Sequence, residues 1–443
     1  MPRYDGRPHI LILGGNFAGL ACAQKVRQYV GDKARVTVID RKSYLLFIPN
    51  SPADVFEDRN PALHQRMDLV PILAKDDIDF IHGEVTAVDV AERSVTFRPA
   101  ERGGAEEHVE HYDYIIFALG ARLAYDRIEG FAEHGHTVSD LSHGEKLRRY
   151  LNTRYAGGPI AIGSARFHQG DGTDGLEPYP GGSIPRTLAA CEGPPVEVMM
   201  SMAAWLRDRK LGGPANVTVF TPAQLIAEDA GEDVVKRLLT LATEMGFNYW
   251  NNTQDIIRLT ADAIEFADGR TLPAEVKVIF PDWVAHDFVK GLPVSDSEGF
   301  IKTDLLMRNP DHPEVFACGD CAAVTVPKLG AIGHQQSDII GLQLGKIFGT
   351  VDAEKADVLL KPEVLCIGDM GDGKAFWIHS NSWFGGDREI LEDGPRALFP
   401  ENAISRHVLR RRWQSARMGT GCRSADRGRG LSRHDKPDHF ATQ

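Results

Sequence analysis

Residues 9–20 read H-I-L-I-L-G-G-N-F-A-G-L: a short apolar strand from His9 to Leu13, a glycine turn, and the start of an Ala-rich helix running to about Tyr29. In that order the three pieces set a pyrophosphate against a helix N-terminus, where free N–H groups and the positive end of the helix dipole meet it. Gly14 takes the first place of a G-x-G-x-x-G frame, Asn16 the second and Gly19 the third, with Gly15 between. Asparagine tolerates left-handed backbone better than most residues but brings side-chain bulk near the phosphates. The next strand, Arg35 to Ile39, ends in Asp40, placed to accept hydrogen bonds from ribose hydroxyls. A chance glycine turn explains the motif alone. Strand, helix and terminal acid together point to dinucleotide binding.

Working outward, 443 residues exceed what one core supports, so two or three domains are expected. A formal charge of -12 disfavours nucleic acid as a partner. No window approaches the roughly 20 apolar residues of a membrane span. The first residues, M-P-R-Y-D-G-R-P-H, lack an apolar signal region, so a cytoplasmic address is expected. Six cysteines at 22, 191, 318, 321, 366 and 422 are too scattered for a secreted disulfide framework. Cys318 and Cys321 form a C-G-D-C pair that suits a redox couple, half a zinc site or plain packing. No second C-x-x-C or H-x-x-H completes a ligand set, and no metal is expected.

Leu188 to Met200, L-A-A-C-E-G-P-P-V-E-V-M-M, puts Cys191 just ahead of a helix whose first turn carries Pro194 and Pro195. A thiolate there is stabilised by the helix N-terminus, so a lowered pKa and a redox role are expected for Cys191. Read alone, it equally suits a small apolar filler. Tyr112 to Gly120 and Glu314 to Asp320 are apolar strands ending in a glycine turn and a carboxylate, respectively. These resemble the second and third FAD-contacting segments of two-dinucleotide-fold flavoproteins, with Asp320 matching the acid on the ribityl chain. The resemblance implies FAD, an α/β fold of two Rossmann-like domains and a small C-terminal region. A second glycine fingerprint belongs after the strand Pro159 to Ile162. A polar loop of about twenty-five residues stands there instead, leading to Cys191, so the nicotinamide site reads as lost.

The middle of the chain suits that plan: a strand at Asn216 to Thr221, an amphipathic helix at Glu232 to Met245, and a hairpin around Asp268-Gly269. The segment V-P-K-L-G-A-I-G-H-Q-Q opens a helix to about Phe348 whose N-terminus favours reduced flavin, with Lys328 adding charge. Glu363 to Asn381 reads as a hairpin with Cys366 on its first strand, a usual place for a core residue.

Together I-A-I-G-S leading to A-C-E-G-P-x-x-E, V-P-K-x-G, and C-I-x-D-x-G resemble sulfide:quinone oxidoreductase, particularly its archaeal-type branch, over about Ile10 to Phe376. The resemblance implies that Cys191 and Cys366 form a sulfur-handling pair beside the flavin, with sulfide attacking their disulfide and electrons passing through FAD to a membrane quinone. Glu197 matches the family's glutamate and is the expected proton acceptor, although a first-turn glutamate also suits the helix dipole. His168 and His334 are weaker candidates. Where the family has a third cysteine, this chain has Ser139.

A quinone enzyme needs a surface that reaches the bilayer, and Trp383, Phe384, Leu391, Leu398, Phe399 and Trp413 with Arg410 to Arg412 are the expected elements of a peripheral attachment to the inner face of the membrane. The expected division is an FAD-binding domain over 1–150 and 291–350, a second Rossmann-like domain over 151–290, a quinone-facing region over 351–417 and a disordered tail over 418–443. Oligomeric state stays open, a homo-oligomer included. Three other readings remain: a type II NADH:quinone oxidoreductase, a flavoprotein that binds sulfur species or partners without turnover, and a related sulfur-compound oxidoreductase whose substrate is a persulfide or organic thiol.

Overall fold

The computed structural model describes residues 6–100, 106–177 and 182–395. Strand β1 (His9–Leu13) is buried along its whole length. An apolar run without alternation needs cover on both faces, as in a parallel sheet. It pairs in parallel with β2 (Arg35–Asp40), which continues to β3 (Asp79–Asp89). An antiparallel meander, β4 (Ser94–Pro99) and β5 (His108–His111), extends that side. On the other side β1 pairs with β6 (Tyr114–Phe117). Helix α1 (Phe17–Val30) joins β1 to β2 and buries Leu20, Ala23, Val26 and Val30, a helical spacing that packs one face on the sheet.

A short antiparallel ribbon, Arg122–Leu123 against Trp283–Val284, carries the chain out to a second sheet and back. That sheet contains β7 (Gly135–His136), β8 (Ile160–Ser164), β9 (Val217–Phe220), β10 (Asn248–Trp250) and β11 (Val276–Phe280), in the order β7-β11-β8-β9-β10 and wholly parallel. Helices α2 (Leu141–Thr153), α3 (Gly193–Arg209) and α4 (Glu232–Met245) are its crossovers. The second sheet thus already begins at Gly135, ahead of the 150/151 division, which falls within α2. The hairpin expected at Asp268-Gly269 forms between Ala263–Phe266 and Thr271–Pro273. β12 (Val315–Ala317) then returns to the first sheet beside β6, giving the order β12-β6-β1-β2-β3-β4-β5. Two parallel units with helical crossovers make the α/β architecture that the sequence predicts.

Helix α5 (Gly330–Ile347) follows, and then a three-stranded antiparallel sheet, β13 (Val364–Gly371), β14 (Lys374–Ser380) and β15 (Glu389–Pro395). This sheet corrects part of the membrane-facing expectation. Phe384 is 2% exposed, and Leu391, paired across the strands with Ile378, is 9% exposed. Both belong to the core: Leu391 faces inward from β15, and Phe384 is buried in the turn Ser382–Phe384 between β14 and β15. Leu398, Phe399, Arg410 to Arg412, Trp413, Cys422 and the 418–443 tail lie outside the described residues. Among the described residues no helix is long and apolar enough to cross a membrane.

Candidate active site

The turn after β1 is built so tightly that its glycines are obligatory. Gly14 has φ +102, and a Cβ there would lie 2.3 Å from the Ala118 carbonyl oxygen. A Cβ on Gly19 would lie 1.9 Å from the Gly14 oxygen, so α1 rests directly on the turn. Asp40 closes it from below, accepting from the Gly15 N–H at 2.7 Å and the Lys42 N–H at 2.7 Å. The Asn16 side chain is engaged by the backbone of Leu46, whose N–H donates to Asn16 Oδ1 at 3.1 Å. That leaves the N-terminus of α1 with no side-chain cap and no acid in its first turn, and α5 begins the same way. Two uncapped helix N-termini beside a glycine turn suit the negative charge of a dinucleotide.

Gly319, with φ +70, lets α1 approach the Asp320 turn, where a Cβ would stand 2.7 Å from Ala18 Cβ. Asp320 is half-buried; burial raises its carboxyl pKa and Lys328 opposes the rise. Lys328 is 3% exposed rather than a solvated loop lysine, its Nζ 3.2 Å from the Ala322 oxygen and 3.9 Å from the Phe300 ring centre. Burial holds its pKa down to about 8, against the pull of Asp320, Cys321 and Asp296. Gly120 supplies the positive φ of +68 after β6.

The second cluster gathers at the start of α3. The Lys328 N–H donates to the Ala190 oxygen at 2.8 Å, fastening the Cys191 segment to the strand-to-helix turn of the first sheet. From the other side β13 packs along α3: the Asp369 N–H donates to Glu197 Oε1 at 3.1 Å, and Arg207 Nη2 donates to Asp372 Oδ2 at 2.6 Å. The result brings Cys366 to the helix N-terminus, where its sulfur lies 3.0 Å from the place a Gly193 Cβ would occupy. Cys191 stands there too, and the Gly193 N–H stabilises its thiolate. Both cysteines are free and half-buried. A residue pair 175 positions apart in sequence is thus joined at one glycine.

The expected lowering of the Cys191 pKa is corrected. Its thiol is pushed well up, first by burial, then by the negative charge of Asp229 and by Cys366; the Gly193 N–H acts in the expected direction but does not prevail. Desolvation of the anion outweighs a helix end effective only over its first turn. Cys366 is likewise pushed up to about 12 by burial, Glu197 and Asp229. Two acids missing from the sequence reading complete the surroundings. Glu192, 3% exposed, accepts from the Ala227 N–H at 2.8 Å through Oε2 while Oε1 is buried without a hydrogen bond. Burial raises its pKa to about 8. Asp229, 8% exposed, is raised to about 6 by burial, with Glu228 adding to it. The signal for Asp229 was A-E-D-A-G at 227–231, between β9 and α4 at the carboxyl end of a parallel strand where sites collect, and that for Glu192 was its place beside Cys191 in A-C-E-G.

Other candidates sit elsewhere. β8 is not followed directly by a helix: residues 165–192 intervene before α3 begins, and α3 is the crossover that a dinucleotide helix would be. His168 is held by Asp282, Nδ1 to Oδ2 at 2.8 Å, and burial and Lys25 lower the pKa of His334. Neither is among the groups acting on the two thiols. Ser139 shares a 3.0 Å hydrogen bond with Thr137. Cys318 and Cys321 are buried and do not face one another: Cys321 Sγ lies 3.2 Å from the Phe117 oxygen, and Cys318 turns toward Cys22.

The pyridine nucleotide-disulphide oxidoreductase family matches residues 8–337. A sulfide-quinone reductase of Aquifex aeolicus is 22% identical over 427 residues, covering 90% of each chain. The mitochondrial sulfide:quinone oxidoreductase of Mus musculus is 23% identical over 342 residues, 75% of this chain and 69% of that one. The crystal structure of the Aquifex aeolicus sulfide:quinone oxidoreductase superposes with a TM-score of 0.74 at 21% identity, covering 91% of each chain, and shows that the fold is shared.

Proposed function

The chain belongs to the pyridine nucleotide-disulphide oxidoreductase family, and from that premise we propose that it is an FAD-dependent sulfide:quinone oxidoreductase working through Cys191 and Cys366. The observation that carries the reading is the meeting of these two sulfurs at Gly193, at the head of the helix that would otherwise receive a nicotinamide dinucleotide. A reductase fed by NADH needs that place for its substrate, whereas a sulfur oxidase needs a dithiol there. This weighs against the type II NADH:quinone oxidoreductase reading. The two relatives come from a bacterium and a mammal and lend no support to the archaeal-type branch.

FAD would be held by the Gly14, Gly15, Asn16 and Gly19 turn, Asp40, Gly120, Asp320 and Lys328, and when bound it supplies the two-electron acceptor. The chain's own chemistry starts from a Cys191–Cys366 disulfide. Hydrosulfide forms a new S–S bond to one sulfur as the old bond breaks, leaving a persulfide on Cys191 and a thiolate on Cys366. Glu197, tied to the backbone of the strand bearing Cys366, takes the proton of the incoming sulfur compound. Electrons leave to a quinone, and since quinones reside in membranes the protein binds peripherally at the inner face.

Anaerobic titration with sulfide and with NADH in separate cuvettes, followed at the flavin absorbance, tests this. Bleaching by sulfide alone, reversed by a soluble quinone, is expected. Bleaching by NADH alone would overturn it in favour of the NADH dehydrogenase. Bleaching by neither would overturn it in favour of another thiol substrate or a binding role.

A further inference from the structure

We propose that Cys22 and Cys318 are a second thiol pair, one that closes to a disulfide across the flavin cradle when a small disulfide or polysulfide reaches it. The inference uses the flavin reading but not the sulfide chemistry of Cys191 and Cys366. The sequence offers Cys318 and Cys321 as the close pair, and the fold parts them. Cys321 Sγ lies 3.2 Å from the Phe117 oxygen, whereas the Cys318 and Cys22 side chains are hydrogen-bonded to each other. The backbone brings them together. Within α1 the Cys22 N–H bonds the carbonyl of Ala18, one turn back, and Cys318 Sγ lies 4.0 Å from that same oxygen. A helical side chain leans over the turn that precedes it, so Cys22 reaches from α1 towards Ala18 and the Cys318 thiol. Ser337 on α5 closes the third side, its Oγ 3.1 Å from the Ala18 oxygen. Ala18 itself is wedged against Gly319 and Gly333, where added Cβ atoms would stand 2.7 and 3.5 Å from its own. The helix is seated directly on the Cys318–Gly319 turn, and both thiols are fully buried.

The place of the pair gives it a consequence. Helix α1 rises from the Gly14–Gly19 turn, and Cys318 immediately precedes Gly319 and Asp320. These two segments would both hold FAD, and they come from opposite ends of the described chain. A bond between the sulfurs fastens one to the other. Written out, Cys22–SH, Cys318–SH and R–S–S–R give Cys22–S–S–Cys318 and two R–SH. One sulfur, as thiolate, attacks the outer disulfide and releases R–S⁻; the other then attacks the mixed disulfide and releases the second. Both protons go to the leaving thiolates, and two electrons pass from the pair to the oxidant. The hydrogen bond to Cys22 and burial push the Cys318 thiol well up, so the pair rests as thiols and reacts when α1 lifts from the turn. A cross-link between distant segments restricts the opened chain more than the closed one. The bonded protein therefore keeps its flavin to a higher temperature.

The test uses the purified, flavin-loaded protein and needs neither sulfide nor quinone. The protein is treated with dithiodipyridine, a small disulfide, then denatured, alkylated with iodoacetamide and digested, with cleavage before Asp320 separating Cys318 from Cys321. Mass spectrometry should find a peptide joining Cys22 to Cys318 that dithiothreitol abolishes. Heating while flavin fluorescence is followed then compares oxidised with re-reduced protein, and oxidation should raise the release temperature by about 4 °C or more. Cys318→Ala should lose both the joined peptide and the shift. The double variant Cys191→Ser with Cys366→Ser should keep both, which removes the other pair as their source. Recovery of Cys22 and Cys318 in any form but joined to each other, or an equal release temperature for joined and re-reduced protein, would overturn the proposal. If Cys318→Ala fails to fold, the oxidised and re-reduced parent protein decides between these outcomes by itself. A protein that fails to bleach with sulfide refutes the sulfide reading and leaves this result as informative as before.

Discussion

Replacing Gly193 by alanine should separate the sulfur pair from the stability of the helix beneath it. The new Cβ would lie 3.0 Å from Cys366 Sγ, inside the roughly 3.5–4.0 Å at which non-bonded heavy atoms pack best, so the sulfur must give way by about 0.5 Å. Gly193 is the first residue of α3 and is not in the left-handed region, so its backbone accepts alanine. Alanine is favoured over glycine within helices by up to about 1 kcal/mol, and crowding a packed site costs about 1–3 kcal/mol. The net change in folding stability is a loss of about 0–3 kcal/mol.

The pair should respond more sharply. A disulfide keeps its sulfurs near 2.05 Å with Cβ atoms about 3.5–4.5 Å apart, which leaves little tolerance for a displaced partner. Each tenfold weakening of the bond is about 30 mV for a two-electron couple. Gly193→Ala is expected to raise the midpoint potential of Cys191/Cys366 by at least about 30 mV, with flavin content unchanged. Equilibration in stepped thiol–disulfide buffers, quenching by alkylation and mass spectrometry reads the potential. A parental potential together with parental sulfide turnover would refute the geometry argued for the pair.

Three further outcomes are expected. Cys191→Ser and Cys366→Ser should each abolish sulfide-dependent quinone reduction while the purified protein keeps its flavin spectrum; normal turnover in either removes the pair from the mechanism. Gly14→Ala, which would force a Cβ to 2.3 Å from a carbonyl oxygen, should yield protein without bound flavin, read from the visible absorbance of the purified chain. For Glu192 the folded-state pKa of about 8 lies above the ordinary 4.5, so its contribution to stability is fully present below pH about 4.5 and is lost as pH rises through 8. Glu192→Gln should therefore flatten the fall in urea midpoint between pH 6 and 9, and an unchanged slope would contradict the burial of this acid.

Local grammar made much of the fold readable. The strand, turn and helix of residues 9–30 follow from an apolar run, two glycines that nothing larger could replace and an amphipathic repeat. Helix α4 is bracketed by Gly231 and Gly246, and Pro194 with Pro195 marks where α3 begins. What escaped was set by partners distant in sequence. The helix end beside Cys191 is a local feature and was seen. The burial and the Asp229 charge that overrule it arrive from β9, α4 and the C-terminal sheet. Phe384 and Leu391 looked like apolar residues free to meet a bilayer because their cover, Ile378 among it, comes from a strand pairing that periodicity alone does not reveal. Glu192 and Asp229 carry no motif of their own, and it is the fold closing over them that raises their pKa values.

Residues 165–192 carry an implication for how such an enzyme can change. Where a compact phosphate-gripping turn would connect strand and helix, this chain has a longer connection that ends with a thiol at the same helix head. Restoring glycines one at a time could not recreate nicotinamide recognition, because the excursion itself would have to be excised and Cys191 would go with it. A nicotinamide dinucleotide and a thiol pair would compete for one topological address. An engineer seeking a pyridine-nucleotide enzyme from this scaffold would do better to graft the whole strand-to-helix connection than to mutate within it.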